Sequence, residues 1–459
     1  MIGAENQVFV SSWRAESRLA PENQSSVNHS LAALETALVS VPAYRSWQKF
    51  DPGPGFDMDT RYSCMPALTK ADMRAHGVRA FVPLNKDFDA GITSGEIEYV
   101  KTSGTTDEQV TNLWNQRWWN ASESASWQLH SRAAQCLNGS QPEAILTSPL
   151  CAGMPCETGY LPFEKRQLGR FLFLNEKANP AEWTSEHMDR MVDELNRFQP
   201  QSLEANPSFL AKLCRHIVRT RKRVVQPRMI FLTYEYPSVL HYRAIREAFG
   251  APVASSYGCT ECGYIFVECE AGRLHENTQF CRVDFLPLAE EHGGPQVGRI
   301  LVTTLQNPWN VVLRFDVGDL VRLETQGICP CGRNSGITIS AVEGRVKNMT
   351  MTPDGRAVTQ CQIDRAMSGV AGIDEYQVLQ AHRAEYAAFI VCSPSGSPSA
   401  RDKQVGEALR SVYGEQARIS VKTAHELAPE FPGKYRLVKP LLAMDPCSFF
   451  DQRYVPKIP

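Results

Sequence analysis

The sequence has 459 residues, of which 43% are apolar and 21% charged. This is an ordinary composition for a soluble globular protein, and the length exceeds what one hydrophobic core usually holds, so we expect two or three domains. The formal net charge of −2 gives no broad electrostatic reason to bind nucleic acid or an anionic membrane.

Targeting signals are not evident in the sequence. Residues 1–20 lack a basic start followed by an apolar core, and no window approaches about 18 uninterrupted apolar residues. Secretion and membrane insertion are therefore not expected, and we predict a cytoplasmic protein. In such a chain the 14 cysteines are expected to be reduced thiols, some of them available to a metal.

The first 95 residues predict an entry region of helices and loops, including a helix over 28–40. Residues 96–100 then alternate like a strand, 101–107 form a loop rich in small hydroxyl residues, and 110–128 have helical periodicity. Strand, loop and helix in this order can aim backbone N–H groups at a phosphate chain. The alternative is a simple Ser/Thr capping turn.

Between about 140 and 250 the chain alternates short apolar runs with helical segments. This alternation predicts an α/β layer architecture. The predicted strands and helices are 144–146, 186–198, 207–219 and 228–233. The basic run 219–223 is interpreted as the solvated end of a helix.

The stretch 255–263 follows an apolar run and predicts the end of a strand that passes into a tight turn. Gly258 permits close backbone approach, Tyr257 offers a flat face for a base, and Glu261 offers a carboxylate suited to a hard cation. An ordinary aromatic-glycine turn is the alternative interpretation.

Two cysteine clusters further along suggest a metal. Three thiolates and an imidazole make a closed tetrahedral set that suits structural Zn²⁺. The candidate ligands are Cys269, His275, Cys329 and Cys331. Because the spacing is not that of a standard zinc finger, unlinked reduced cysteines remain the alternative, and Cys262 and Cys281 are competing ligands.

Residues 298–305 and 310–315 predict paired strands that lead to Asp319. An Asp that follows a glycine here can accept hydrogen bonds from two adjacent ribose hydroxyls, although an ordinary turn Asp is the alternative.

Several of these segments together resemble the motifs of the adenylate-forming superfamily, most closely its phenylacetate-CoA ligase branch. The resemblance covers roughly residues 60–440, and the motifs occur in the family's order and rough spacing. The segments that carry it are 102–106, 257–261, 314–319, 329–333 and 344–345.

The resemblance implies an α/β fold with a large multi-layer N-terminal adenylation domain and a small mobile α+β C-terminal domain. The implied boundaries are 1–344 for the adenylation domain, 345–347 for the hinge and 348–459 for the lid domain. Members of the family rotate the small domain about a hinge residue, which would be Lys347 here.

The resemblance also implies residue roles. Lys434, in the Pro/Gly turn of 426–436, would act in adenylation, and Glu261 would hold Mg²⁺. Zinc is favoured at the four candidate ligands, because relatives can carry zinc at matching positions. The implied ATP-binding residues are Thr102, Ser103, Gly104, Thr105, Thr106, Glu235, Tyr257, Gly258, Thr260, Asp319 and Arg345.

The implied activity is that of an ATP-dependent, AMP-forming carboxylate-CoA ligase, which acts through an acyl-adenylate on an aromatic or small monocarboxylic acid. ATP, Mg²⁺ and CoA are the expected partners, with neither nucleic acid nor membrane, and a homodimer is compatible with the branch. One alternative is a stand-alone adenylating enzyme that passes the acyl group to a carrier protein or an amine. Another is a catalytically silent nucleotide-binding protein.

Three departures from the family pattern bear on these expectations. Asp107 replaces a glycine in the phosphate loop and places a carboxylate near the expected triphosphate. Thr233 and Tyr234 replace small residues beside the nucleotide, which narrows the expected pocket. Lys347 and Asn348 stand where the family has paired aspartates beyond the hinge.

Overall fold

A computed structural model of the chain describes residues 24–102, 109–136, 140–149, 161–325, 327–393, 398–430 and 433–451. The chain divides into two compact units. Unit 1 comprises Met1–Ser131, Ser256–Val342 and Phe449–Pro459, and unit 2 comprises Arg132–Ser255 and Glu343–Ser448. Each unit is therefore assembled from distant parts of the chain.

Twenty strands are numbered here in chain order within the described residues. They are β1 Glu98–Lys101, β2 Thr111–Trp114, β3 Glu143–Leu146, β4 Gln167–Leu168, β5 Phe171–Phe173, β6 Ser202–Ala205, β7 Met229–Leu232, β8 Val253–Cys259, β9 Gly263–Glu268, β10 Leu274–Glu276, β11 Cys281–Pro287, β12 Val297–Thr304, β13 Phe315–Leu323, β14 Thr338–Arg345, β15 Thr350–Met351, β16 Ala357–Val358, β17 Ile373–His382, β18 Glu385–Cys392, β19 Arg418–Ala424 and β20 Val438–Pro440.

The helices are mostly short. They span Gln24–Ser40, Met58–Cys64, Lys70–His76, Phe88–Thr93, Gln116–Trp127, Ser131–Ala134, Phe163–Arg166, Ser185–Phe198, Pro207–Thr220, Val239–Ala248, Gln360–Ser368 and Pro398–Tyr413. Among the residues that the structure describes, no helix combines the length and apolar character needed to cross a bilayer.

Unit 1 contains an antiparallel sheet with strand order β11-β12-β13-β14-β10-β9-β8. Its hairpin β11–β12 pairs without a break from Cys281 opposite Thr304 to Pro287 opposite Gly298. The core of the unit is built on this sheet, and Phe266, Val302 and Phe315 are among its fully buried members. The first hairpin of the unit, β1–β2, forms a separate pair.

Unit 2 contains a mostly parallel sheet with order β8-β7-β6-β3-β5-β4. Its strands β6 and β7 are buried along their whole length, as expected where helices cover both faces of a parallel sheet. The helices predicted over 186–198 and 207–219 are confirmed at Ser185–Phe198 and Pro207–Thr220. The α/β expectation for this region is therefore confirmed.

The C-terminal part of unit 2 forms a small α+β element. Its four-stranded sheet has order β19-β18-β17-β20, with β17–β18 antiparallel and the two outer pairs parallel. The helices Gln360–Ser368 and Pro398–Tyr413 contribute Ile363, Met367 and Leu409 to its core. This agrees with the small α+β architecture expected after the Gly-Arg motif at 344–345.

The helix expected over 110–128 begins later than predicted. Residues Thr111–Trp114 form β2, which pairs with β1, and the helix starts at Gln116. The side-chain oxygen of Asn115 accepts a hydrogen bond from the backbone N–H of Trp118 at 2.7 Å and caps the helix. Pairing with β1 therefore outweighs the helical periodicity of the first residues.

The expected domain boundary at 345–347 remains a prediction. The described residues after 448 group with unit 1. The N–H of Ala289 donates to the carbonyl of Phe449 at 3.0 Å, and the N–H of Asp451 donates to the carbonyl of Pro287 at 3.1 Å. The last described segment thus groups with unit 1.

One buried carboxylate joins parts of unit 2 that are distant in sequence. Asp364 accepts hydrogen bonds from the N–H of Val239 at 3.0 Å and from the hydroxyls of Tyr376 and Tyr236 at 2.9 and 3.3 Å. Burial nevertheless raises the pKa of Asp364 to about 6. The desolvation of the carboxylate outweighs the three donors.

We predict that Asp364 makes stability depend on pH. Because its folded pKa lies above its unfolded value, the folded state retains a proton that the unfolded chain releases between about pH 4 and 6. The unfolding free energy should therefore fall by on the order of 2 kcal/mol as pH rises through this window. Urea unfolding of the wild type and of Asp364→Asn checks this, since only the wild type should show this part of the slope. Parallel pH profiles would contradict it.

Candidate functional site

The turn between β8 and β9 is formed by an unusually close approach of two backbones. Gly258 lies opposite Tyr264, and the pairing register shifts between Tyr257 and Gly258. A Cβ on Gly258 would lie 2.4 Å from the carbonyl oxygen of Gly263. The strand-and-turn expectation is confirmed, and Gly258 is required because no side chain fits there.

Tyr257, immediately before this glycine, is paired with Asp319. Its hydroxyl donates a hydrogen bond to Asp319 Oδ2 at 2.8 Å, across 62 residues of sequence. Both side chains are partly exposed. The structure thus brings together an aromatic ring and a carboxylate that the sequence predicted separately.

The strand that carries Asp319 differs from the expectation. The predicted strand ended at residue 315, but Arg314 has a left-handed φ of 49° and β13 begins only after it, at Phe315–Leu323. Asp319 therefore lies inside a strand and does not follow one.

A bulge gives Asp319 its orientation. The β12–β13 register shifts so that residues 317–319 lie opposite a single residue of β12. Gly318 adopts a φ of 78° within this bulge, a conformation that glycine adopts without strain.

Glu261 lies in the turn itself and is 4% exposed. Its Oε1 makes no hydrogen bond to the residues that the structure describes, and it is 3.5 Å from the ammonium of Lys70. A carboxylate oxygen is the kind of ligand that a hard cation prefers, and a cation bound here would compete with the Lys70 ammonium. Lys70 was missed by the sequence analysis, because no local pattern links it to the turn.

The loop expected to bind phosphate is held at its base. Thr102 is buried, its N–H donates to the carbonyl of Val110, and its Oγ1 accepts from the N–H of Val110, both at 3.0 Å. Asn112 in β2 donates to the carbonyl of Thr260 at 2.9 Å and so ties this hairpin to the turn. Ser103, Gly104, Thr105 and Thr106 lie outside the described residues, as does Asp107.

The four predicted metal ligands come together in unit 1. Their ligand atoms all lie within 4.8 Å of one another. The thiol sulfurs of Cys269 and Cys329 are 3.7 Å apart, and Cys331 Sγ is 3.2 Å from His275 Nε2. The competing candidates Cys262 and Cys281 are not in this group. The donor set of three sulfurs and one imidazole suits tetrahedral Zn²⁺.

The protonation of these ligands follows their surroundings. Burial raises the pKa of Cys269 to about 12, whereas burial and the charge of Arg333 lower the pKa of His275 to about 4. Burial opposes ionisation of Cys331 too, but hydrogen bonds from the backbone and side chain of Arg333 and from neighbouring thiols lower its pKa. The neutral imidazole is the form that binds metals. His275 Nδ1 lies 3.3 Å from Thr338 Oγ1, which fixes the ring.

In unit 2, Glu235 and Lys434 belong to one local arrangement. Glu235 follows β7, and its Oε2 accepts a hydrogen bond from the N–H of Tyr435, the residue after the lysine, at 3.0 Å. Lys434 itself exchanges backbone hydrogen bonds with Glu430 at 2.8 and 3.0 Å. Lys434 therefore pairs its backbone with Glu430, an arrangement called the lysine hairpin below, and Glu235 holds the residue that follows.

The hinge candidates lie at the end of β14. Arg345 is exposed and Lys347 partly buried, within a 3₁₀ turn over Val346–Asn348. Gly344 has a φ of 103°, and a Cβ there would lie 2.7 Å from the Cβ of Gln360. The glycine of the Gly-Arg motif is thus required by backbone conformation and close packing. The roles of Arg345 and Lys347 remain predictions.

The sequence matches no family model. It is 22% identical over 251 residues to Protein CapK of Staphylococcus aureus, an alignment that covers 54% of each protein. The chain thus spans about half the length of the curated relative that it matches.

Solved structures give a more extensive match. The chain is similar to 2-hydroxyisobutyryl-CoA ligase in the postadenylation state in complex with R3-HIB-AMP, with a TM-score of 0.67, 17% identity, and coverage of 90% of this chain and 88% of that one. An open conformation of that ligase with 2-HIB-AMP and CoA gives a TM-score of 0.55 at 16% identity, covering 93% and 96%. The chain has the fold of the adenylate-forming ligases. The fold class predicted from the sequence is confirmed.

We predict that Gly258→Ala destabilises the protein by about 1–3 kcal/mol, because the new methyl group overpacks against the carbonyl of Gly263. Urea unfolding followed by tryptophan fluorescence measures the change. Gly55→Ala is the matched control, because a Cβ there meets nothing within 4 Å. An unchanged midpoint for Gly258→Ala would contradict the close approach of β8 and β9.

Proposed function

We propose that this protein is an ATP-dependent, AMP-forming carboxylate-CoA ligase that acts through an acyl-adenylate on an aromatic or small monocarboxylic acid. The observation that carries the proposal is the pair of Tyr257 and Asp319 beside the turn with Glu261. It offers a ring face for adenine and a carboxylate for the ribose hydroxyls, in a fold of adenylate-forming ligases. The structural relative is named as a CoA ligase and was crystallised with an acyl-AMP.

The first half-reaction needs positioning and charge neutralisation more than covalent help. An oxygen of the substrate carboxylate attacks the α-phosphorus of ATP, the acyl–phosphate bond forms, and the bond to the β-phosphate oxygen breaks as pyrophosphate leaves. We assign to Lys434 the stabilisation of charge that builds on the α-phosphate, since an ammonium on a flexible stem suits this task.

In the second half-reaction the sulfur of CoA attacks the acyl carbon, AMP leaves, and the thiol proton passes to solvent. Glu261 would hold Mg²⁺, which neutralises phosphate charge when bound, and its buried oxygen without a hydrogen bond fits a cation. We assign binding of the phosphates to Thr102, Ser103, Gly104, Thr105 and Thr106. Binding of the rest of the nucleotide is assigned to Gly258, Thr260 and Arg345, and the hinge to Lys347.

The experiment that tests the proposal is conversion of ATP to AMP and pyrophosphate with a panel of acids, each with and without CoA. The panel includes phenylacetate, benzoate and 2-hydroxyisobutyrate. We expect catalytic AMP formation that depends on one class of acid and on CoA. A tightly held acyl-adenylate at one equivalent, unaffected by CoA, would indicate transfer to a carrier protein or an amine.

Lys434→Ala serves as the diagnostic variant in this assay. It should slow pyrophosphate release by a factor on the order of 10²–10³, as the removal of one transition-state donor does elsewhere. Thioester formation from supplied acyl-adenylate and CoA should persist. Equal loss in both steps would remove Lys434 from its role, and the absence of pyrophosphate release by the wild type with every acid would indicate the catalytically silent alternative.

We further propose that Cys269, His275, Cys329 and Cys331 hold one structural Zn²⁺. Native mass spectrometry should show one zinc per chain in the wild type and none in Cys329→Ser. Cys447→Ser is the control, since Cys447 is exposed and outside the cluster. A metal-free wild type that stays metal-free after incubation with zinc would contradict the site.

A further inference from the structure

We propose that Glu235 is the positioning residue for Lys434. Its carboxylate holds the backbone N–H next to the lysine, and Ser208 holds the carboxylate. The inference rests on the proposed function, because a fixed backbone at Lys434 serves the catalytic role proposed for its side chain. It assigns to Glu235 a role within the protein, whereas the sequence resemblance implied contact with ATP.

Both oxygens of Glu235 are engaged by protein donors. Oε2 accepts from the N–H of Tyr435 at 3.0 Å. Oε1 accepts from the N–H of Ser208 at 3.2 Å and also from the Ser208 hydroxyl. Ser208 lies in the first turn of the helix Pro207–Thr220, whose N–H groups favour an anion. The carboxylate is thus a bridge between this helix and the lysine hairpin.

His241 fixes the direction of the hydrogen bonds that reach Glu235. Its Nδ1 accepts from the N–H of Ser238 at 3.1 Å, so the proton of the neutral ring lies on Nε2. Nε2 is 3.4 Å from Ser208 Oγ. Burial, reinforced by the positive charge of Arg215, lowers the pKa of His241 to about 3, which keeps the ring neutral.

The consequence is a one-way chain of donors. The ring N–H of His241 donates to Ser208 Oγ, and the Ser208 hydroxyl then donates to Glu235. A Ser–His–acid arrangement for nucleophilic catalysis needs the opposite polarity, with an unprotonated ring nitrogen facing the serine. His241 and Ser208 therefore anchor Glu235, and the three residues do not form a hydrolytic centre.

The other side of the lysine is fixed by a glycine. Gly433 has a φ of 105°, and a Cβ there would lie 2.5 Å from the carbonyl oxygen of Ala178 and 3.2 Å from the Cβ of Ser148. The residue before Lys434 is therefore pressed against the body of unit 2, and the residue after it is held by Glu235. The backbone is therefore fixed at both neighbours of Lys434, Gly433 and Tyr435.

The location suits a reaction site. Ser148 follows β3 and Glu235 follows β7, so both lie beyond the carboxyl ends of parallel strands, where ligands bind in open α/β sheets. A shift of about 1 Å in a catalytic group can cost a factor of about 10² in rate. Anchoring the backbone on both sides of a long, flexible side chain limits such shifts.

The first test needs no substrate. Trypsin cleaves after lysine, so the rate of cutting at the Lys434–Tyr435 bond in the folded full-length protein reports how firmly the hairpin is held. We expect Glu235→Ala to raise this rate about tenfold and Ser208→Ala to raise it less, as expected for loss of hydrogen bonds to a charged group. Glu385→Gln is the control, because its partner Arg418 is exposed and lies on the small sheet.

The second test separates positioning from general structural damage. Glu235→Ala should slow pyrophosphate release about tenfold or more, and Glu235→Gln should recover part of the loss by restoring an acceptor. In a Lys434→Ala background the same substitution should cause no further loss, because Glu235 acts through the lysine. Thioester formation from supplied acyl-adenylate should not change.

The outcomes are distinguishable. If trypsin cuts the Lys434–Tyr435 bond at an unchanged rate in both Glu235→Ala and Ser208→Ala, then Glu235 does not hold the hairpin, whatever the activity. If the double variant loses pyrophosphate release by the product of the two single losses, then Glu235 does not act through Lys434. If the wild type releases no pyrophosphate with any acid, the proposed function fails, and the trypsin experiment still decides whether Glu235 holds the hairpin.

Discussion

The close approach of β8 and β9 at Gly258 is the constraint from which the candidate nucleotide site follows. A Cβ at position 258 would collide with the carbonyl of Gly263. Because Gly258 has no Cβ, the two strands can pair here with a register shift. The shift lies between Gly258 and Tyr257, whose hydroxyl donates to Asp319. The turn that follows contains Glu261, which stays buried beside Lys70. The close approach at Gly258 thus accounts for the placement of three functional groups, those of Tyr257, Asp319 and Glu261.

Backbone conformation plays the same part elsewhere in the described chain. The bulge of β13 orients Asp319 through Gly318, and the lysine hairpin docks through Gly433. In each case a functional side chain stands directly beside a glycine that has a left-handed φ or no room for a Cβ. This explains why the sequence motifs are pairs of a glycine and a reactive residue: one member shapes the backbone and the other supplies the chemistry.

The sequence predicted what is encoded locally. The strands and helices of 144–233 have clear periodicities, and the structure confirms them. The four metal ligands could be chosen by their chemistry alone, and the structure brings them together. The predicted start of the helix at residue 110 was wrong, because pairing of β2 with β1 is a non-local interaction that outweighs local periodicity.

The partners of the site residues could not be predicted in the same way. Lys70 reaches Glu261 from a separate helix, and Glu235 reaches Tyr435 across 200 residues of sequence. Nothing in the neighbourhood of either residue encodes these contacts, since hydrogen bonds and ion pairs form between whatever groups the fold brings within reach. The resemblance to known enzymes assigned roles to residues, but it did not reveal which groups hold them.

Two glutamates show how the surroundings of a carboxylate separate binding from positioning. Both Glu261 and Glu235 follow a strand and lie near proposed reacting groups. The first has a buried oxygen that accepts no hydrogen bond from the described residues, so a bound cation would compete only with the Lys70 ammonium 3.5 Å away. The second has both oxygens occupied by N–H and O–H donors, and for it a cation would have to displace bonds that already exist. Identical side chains are therefore suited to different tasks, metal binding for Glu261 and backbone clamping for Glu235, and the donors around each one decide which.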